Sequence, residues 1–180
     1  MDLTAQKLRY DTHQNTIDNA GYVQTFKPVI DYLIQHYSQE LRGQISVLDW
    51  GSGPTPVLAE LLKRVGFQPE IYDPVYCSQK PTHTFDVIVS TEVVEHFCEV
   101  RKEWNEVLKY LKPGGVFVGL TQFQPSDEEL KKWWYLRDPT HFSFYSEKTF
   151  RWLALQRGLQ LAICKSPLFV FQVRSSVVDY

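Results

Sequence analysis

The sequence predicts an α/β protein with a mostly parallel sheet and an antiparallel pair of strands near its C-terminal end. Three observations predict it. From residue 28 onward, short apolar runs of strand length alternate with amphipathic helical stretches, the order that produces parallel βαβ units covered on both faces. The early strands end in turns rich in Gly, Asp, Ser or Glu, and in open α/β sheets ligands sit outside the carboxyl ends of the strands. The last two strands are linked only by Ser166-Pro167, too short for a parallel crossover, so they should pair antiparallel.

The elements follow in order. Val29, Ile30, Leu33, Ile34, Tyr37 and Leu41 fall on one helical face, with Pro28 in the first turn and Gly43 after the end. Ile45-Ser46-Val47-Leu48 reads as a buried strand running into Asp49-Trp50-Gly51-Ser52-Gly53. A second helix, with Thr55 as cap and Pro56 in its first position, buries Leu58, Leu61, Leu62 and Val65 and stops at Gly66. Pro69–Tyr72 and Phe85–Ser90 are the next strands. The helix after them carries Phe97, Val100, Trp104, Val107, Leu108 and Leu111 and ends at Lys112-Pro113-Gly114-Gly115, before the strand Val116–Leu120. Ser126 and Glu129 form a capping-box pattern for a short helix through Trp134. A loop at 137–141 leads to a helix capped by Ser146, with Phe150, Leu153 and Ala154 inward and Gly158 at its end. Leu159–Cys164 and Leu168–Val173 are the closing strands.

The 180 residues form one domain: an N-terminal helical or lid segment (1–43), a cofactor-binding core (44–121), a substrate-side insertion (122–145) and a C-terminal helix and strand pair (146–180). With 43% hydrophobic and 22% charged residues, the composition excludes a mainly disordered chain. Nineteen Lys+Arg against 21 Asp+Glu leaves no basic excess for nucleic-acid binding. No apolar run approaches a bilayer span and the N-terminus lacks a signal-peptide core, so a cytoplasmic location without membrane contact is expected. Three cysteines without CxxC spacing, and five histidines without HxxxH or HxH spacing, argue against a disulfide framework and a metal site.

Gly51 and Gly53, between a strand and a helix, allow close backbone approach to a ligand. A dinucleotide turn needs a third glycine where this chain has Pro56, and no phosphate-loop lysine follows, so an NAD enzyme is disfavoured. Asp73, at the tip of the second strand, stands where a carboxylate takes the two hydroxyls of a ribose. Asp49 suits a ligand with ammonium or sulfonium charge. Together these features describe S-adenosylmethionine better than NAD.

Val47-Leu48-Asp49-Trp50-Gly51-Ser52-Gly53, Asp73, the run from Phe85 through Ser90-Thr91-Glu92-Val93-Val94-Glu95-His96-Phe97, and Leu111–Gly115 resemble the class I S-adenosylmethionine-dependent methyltransferases, closest to a small bacterial branch with an E-V-x-E-H segment. The resemblance implies a Rossmann-like methyltransferase fold. It places Gly51, Ser52 and Gly53 along the methionine part of the cofactor, with Asp49 and Trp50 beside them. Asp73 and Pro74 would lie at the ribose, and Ser90, Thr91 and Glu92 beneath the sulfonium methyl. Two departures stand out. Thr55 replaces the third glycine of G-x-G-x-G, and only 11 residues (74–84) separate Asp73 from Phe85. The family's usual extra strand–helix unit is therefore shortened or missing.

His141, Glu92 and His96 are the candidate catalytic residues. His141 lies in an insertion rich in Trp, Tyr, Arg and Asp, where an acceptor would enter, and Asp138 is positioned to orient it. His96 also reads as a hydrogen bonder holding a loop, and Glu95 as a helix cap. Tyr10, His13 and Tyr22 read either as a lid over the cofactor or as ordinary exposed residues. The absence of an Asn/Asp-Pro-Pro-aromatic run after Ser90, and of a Pro-Cys pair at a strand end, argues against nucleobase methylation. The expected function is in-line methyl transfer to a small-molecule acceptor by a monomer or homodimer. The alternative is a catalytically silent module that binds S-adenosylmethionine, S-adenosylhomocysteine or a protein partner.

Overall fold

The computed structural model describes residues 16–174. After helices α1 (Ala20–Thr25) and α2 (Lys27–His36) come β1 (Ser46–Trp50), α3 (Val57–Arg64), β2 (Gln68–Tyr72) and β3 (Phe85–Thr91). Helix α4 (Val100–Leu108), β4 (Leu111–Leu120), the short α5 (Asp127–Leu130), α6 (Glu147–Gln156), β5 (Leu159–Lys165) and β6 (Leu168–Val173) follow. The six strands form one sheet in the order β2-β1-β3-β4-β6-β5. The first four are mutually parallel, and β6 runs antiparallel to β4 and β5. This is the α/β sheet expected, and the strand order reverses between β1 and β3. Between Asp73 and Phe85 there is neither helix nor strand, only an isolated bridge from Asp73 to Cys77, so the strand–helix unit is absent.

Alternation along the strands sorts side chains between two cores. Val47, Val87, Val89, Val116 and Val118 pack with Phe26, Val29, Leu33, Leu58 and Leu62 of the helices on one face. Leu48, Trp50, Ile88 and Phe117 face the other side, where Trp104 and Val107 of α4, Phe150 and Leu153 of α6, and Phe169 and Phe171 of β6 enclose them. Trp104 is fully buried, edge-on to Phe97 and Phe117. Its indole N–H donates to the Tyr145 hydroxyl at 3.2 Å, which donates to the Val94 carbonyl at 3.0 Å. Much of the chain's aromatic content is therefore core.

Several boundaries depart from the sequence pattern. Helix α2 stops at His36, because Tyr37 is extended and residues 42–44 form a 3-10 turn. Thr55 makes no cap, and Pro56 takes that position. Leu111 and the Lys112–Gly115 turn belong to β4, not to the preceding helix. Phe85 pairs with Leu111 and Val87 with Val116, so residues 112–115 bulge opposite Asp86. Gly115 permits it, since a Cβ there would lie 2.9 Å from the Lys112 carbonyl oxygen. Ser126 bonds to the Glu129 side chain rather than to the backbone, so the capping box is not formed and α5 is a single turn. Trp134–Arg137 is a separate 3-10 turn. At Ser146 a full capping box with Thr149 opens α6.

Gly119 in β4 lies beneath the Phe169 ring, which a methyl group at that position would overlap. Gly119→Ala is expected to lower unfolding free energy by about 1–3 kcal/mol, the usual range for overpacking. Phe169→Leu should offset part of the loss, a coupling measurable by denaturant unfolding of the two single variants and the double.

Candidate active site

At the carboxyl ends of β1 and β3, where the strand order reverses, lies a cavity of about 680 Å³. The Gly51–Gly53 turn, Asp49 and Thr91 line one part of it. Glu92, His96 and His141 line another, with Tyr22 and Phe26 of the N-terminal helices and Trp134 and Tyr135 of the insertion. The strand ends thus bring the motif residues and the insertion to one space. Tyr10 and His13 lie outside the described residues.

Gly51 and Gly53 have φ of 82° and 68°, conformations that glycine adopts without strain. Gly51 also packs directly against Val93, where a Cβ would collide with its side chain. The Gly51 and Ser52 amides donate to the Tyr72 carbonyl at 2.7 and 3.2 Å. The Gly53 amide donates to Asp73 Oδ2 at 3.0 Å, while Asp73 Oδ1 accepts from the Val75 and Tyr76 amides at 2.8 and 3.0 Å. Neither Asp73 nor Pro74 lines the cavity. Asp73 holds the glycine turn in place from behind.

Asp49 and Thr91 share the face of Val47 and Val89 and so reach the cavity. Trp50 and Ser90 point to the opposite core, where Trp50 stacks near Tyr72 with ring centroids 4.3 Å apart. The Ser90 hydroxyl donates to the Trp50 carbonyl at 3.0 Å, tying β3 to β1. Asp49 is 2% exposed, and its Oδ2 and the Ser52 Oγ are buried without a hydrogen-bond partner among the described residues. Burial pushes the Asp49 carboxyl up to about 7, against a backbone hydrogen bond at Ala59, with the negative Asp73 adding to the rise. Tyr22 is pushed up to about 12 by burial and by the charges of Asp49 and Glu92.

At the end of β3, Glu92 takes φ of 53°, the one non-glycine residue with positive φ among the described residues. Its amide donates to the Leu120 carbonyl at 2.9 Å. Its carboxylate accepts from the Tyr135 hydroxyl at 2.9 Å. The same hydroxyl bonds to Glu95 Oε1 and lies 3.1 Å from Thr121 Oγ1. Glu95, fully buried in the 3-10 turn Val94–His96, accepts from Thr121 Oγ1 at 3.0 Å, and its backbone carbonyl accepts the Phe142 and Ser143 amides at 2.8 and 2.9 Å. Burial, then the nearby Glu92, pushes Glu95 up to about 8. Burial likewise raises Glu92, opposed by the Tyr135 hydrogen bond, and burial with both carboxylates raises Tyr135 strongly. Tyr135 and Glu95 organise the site, yet neither stood among the candidates. The E-V-x-E-H segment contains Glu95, but nothing local joins it to Tyr135, which lies 40 residues away in the chain.

His96 Nδ1 lies 2.8 Å from the Thr140 carbonyl oxygen and His141 Nδ1 2.9 Å from that of Tyr135. The two rings meet edge to face with centroids 4.9 Å apart. Asp138 Oδ1 accepts from Thr140 N and Oγ1 at 2.9 and 2.6 Å and so shapes the turn that carries His141. Trp134, which lines the cavity, is 63% exposed.

A family described as a methyltransferase domain matches residues 23–162. The chain is 49% identical over 41 residues, 23% of its length, to the ubiquinone biosynthesis O-methyltransferase of Paramagnetospirillum magneticum. It is 35% identical over 88 residues, 46% of its length, to the uncharacterized methyltransferase YcgJ of Bacillus subtilis. These alignments span 16% and 33% of the two relatives. In fold it is similar to the magnesium protoporphyrin IX methyltransferase of Synechocystis, solved with bound SAH, at a TM-score of 0.63 and 15% identity, covering 96% of this chain and 94% of that one. No helix among the described residues is long and apolar enough to cross a membrane.

The raised Asp49 carboxyl sets a pH dependence. The folded state holds this proton to about pH 7, whereas the unfolded chain releases it near the ordinary carboxylate value of 3.8. Stability contributed by Asp49 is therefore present at low pH and falls as pH rises through this window. Asp49→Asn is expected to remove that part of the slope and to stabilise the ligand-free protein at pH 8 by at least about 1 kcal/mol, each pKa unit corresponding to about 1.4 kcal/mol. Urea unfolding at pH 5 and pH 8 measures it.

Proposed function

The chain belongs to the methyltransferase domain family, and from that premise we propose that it transfers a methyl group from S-adenosylmethionine to a small-molecule acceptor. The observation that carries this reading is one cavity shared by two unlike walls. One wall holds the glycine turn with a buried, unpartnered Asp49 oxygen and Ser52 hydroxyl; the other holds Glu92, His96, His141 and the aromatic insertion. Orphaned polar atoms of this kind are costly unless a ligand satisfies them.

The residues fit that donor. Asp49 Oδ2 would pair with the ammonium of its methionine part, Ser52 would add a hydrogen bond, and Gly51 and Gly53 would let the backbone approach. Asp73 would act through Gly53, as a positioning residue. S-adenosylmethionine supplies an electrophilic methyl group on a sulfonium, leaving as S-adenosylhomocysteine. What the protein contributes is alignment and exclusion of water. Thr91 and Glu92 form the floor, and Tyr22 and Phe26 close the side toward the N-terminal helices. Trp134 and Tyr135 offer aromatic surface to the acceptor, with Glu92, His96 and His141 as the polar groups that orient it. The exposed Trp134 on the cavity wall favours an acceptor with an apolar or aromatic body.

Calorimetric titration with S-adenosylmethionine and S-adenosylhomocysteine tests the reading. Both are expected to bind at micromolar affinity, and Asp49→Ala to weaken binding about 10–100-fold, the loss typical of a hydrogen bond to a charged group. At pH 7 binding is expected to release a fraction of a proton, because the ligand's ammonium lowers the raised Asp49 carboxyl. The heat should then vary with buffer ionisation enthalpy in the wild type and not in Asp49→Asn. No binding of either ligand to folded protein would overturn the proposal and leave a silent module.

A further inference from the structure

The cavity is lined by acids and by no lysine or arginine among the described residues. Asp49 on β1 and Glu92 at the end of β3 reach it from neighbouring strands. Val93 packs on Gly51, so the chain brings Glu92 close beside the glycine turn. Tyr22 feels the two carboxylates together, since both charges add to the effect of burial in raising its hydroxyl. Neither Asp49 nor Glu92 forms an ion pair with a lysine or arginine among the described residues.

The two acids are prepared differently. Asp49 is buried with Oδ2 unpartnered, so a cation there satisfies an orphaned atom and displaces nothing. Glu92 is braced, because the Tyr135 hydroxyl donates to it at 2.9 Å while its backbone is held at φ of 53°. Backbone strain of this kind persists where the surroundings over-determine it, commonly beside a ligand. Glu95, the other acid on Tyr135, is fully buried and is pushed up to about 8. Two acids this close resist ionising together, and the proton they share stays with the more buried one. The negative charge is thereby left at the cavity, on Glu92.

We propose that Asp49 and Glu92 together select a ligand with two positive centres, so that this cavity tells S-adenosylmethionine from S-adenosylhomocysteine by the charge on sulfur. The inference rests on the methyl-transfer reading. Asp49 takes the ammonium, and Glu92 faces the sulfonium at the far end of the short alkyl chain that joins the two. In the transfer, an electron pair of the acceptor forms the bond to the methyl carbon, and the sulfur keeps the pair of the broken C–S bond. The acceptor's proton passes to water. Glu92 is then left facing a neutral thioether, a poorer partner for a charge withdrawn from water. Its attraction is strongest before transfer, so Glu92 favours donor binding and product release over the chemical step.

Calorimetric titration of the full chain at pH 8 with S-adenosylmethionine, S-adenosylhomocysteine and sinefungin, which carries an amine-bearing carbon in place of the sulfur, tests this. The wild type is expected to bind the two ligands charged at that position about 10-fold more tightly than S-adenosylhomocysteine, a modest gain for one partly screened ion pair. Glu92→Gln, which keeps the size and can still accept from Tyr135, is expected to bring all three within about 2-fold by weakening the charged ligands alone. Glu128→Gln, on an exposed acid of α5, should leave the preference unchanged. High salt should shrink the wild-type preference, a reading that needs no variant. Far-UV circular dichroism confirms that each variant is folded. Equal affinity of the wild type for the three ligands overturns the inference, and so does a preference that survives in folded Glu92→Gln or, if that variant does not fold, in high salt. In those cases the cofactor site still stands. If folded wild type binds none of the three, the methyl-transfer reading falls and this inference with it.

Discussion

The buried carboxyl of Glu95 is the contact on which the cavity wall formed by the 134–141 segment depends. One oxygen takes the Thr121 hydroxyl at the end of β4, the other meets the Tyr135 hydroxyl, and the residue's backbone carbonyl takes two amides of the loop at Phe142–Ser143. A fully buried carboxyl is costly unless it is hydrogen-bonded or neutral. Here the rise to about 8 favours the neutral acid near pH 7, a group that donates as well as accepts. The Tyr135 hydroxyl stands between the Glu92 and Glu95 carboxyls, and Thr121 donates to the second Glu95 oxygen, so this network ties the insertion to the sheet. Without Glu95 the turn at Trp134–Arg137 would keep few polar links to the strand ends.

The period of two along a strand decides which motif residues meet a ligand. Asp49 and Thr91 share a face with Val47 and Val89 and open to the cavity, while Trp50 and Ser90, next to them in sequence, belong to the far core. A motif written as a string of letters conceals this division. Asp49-Trp50-Gly51 is therefore three tasks in succession: a buried acid facing the cavity, an aromatic plug packed on Tyr72, and a turn that must avoid Val93.

The parallel sheet, its antiparallel end and the missing unit after Asp73 were legible because each follows from apolar runs and link lengths, which are local. The glycine turn, Asp49, Glu92 and His141 were legible as positions at strand ends or in an insertion. The details that failed depend on competition the sequence does not display. Ser126 with Glu129 matches a capping box, but the two side chains bond to each other and the helix lasts one turn. Lys112–Gly115 looks like a helix stop, yet Leu111 pairs with Phe85 and the strand has already begun. Tyr135 and Glu95 were invisible as a pair, since only tertiary structure joins them.

The two ends of the sheet carry opposite demands. At the amino ends, Lys112 Nζ bonds Asp86 Oδ2 at 2.9 Å and Ser46 Oγ at 3.0 Å, and Asp86 also accepts the Ser46 amide and hydroxyl, pinning β1, β3 and β4. At the carboxyl ends an acid and a hydroxyl are buried without partners among the described residues, burial raises a second acid, and Glu92 sits at positive φ. Loss of the strand–helix unit after β2 sharpens the contrast. Asp73, freed of a following helix, turns its carboxylate onto the Gly53, Val75 and Tyr76 amides and becomes the brace of the turn. Tyr22 and Phe26 of the N-terminal helices line the cavity, while the Lys112–Asp86–Ser46 bonds at the opposite end hold the strands in register.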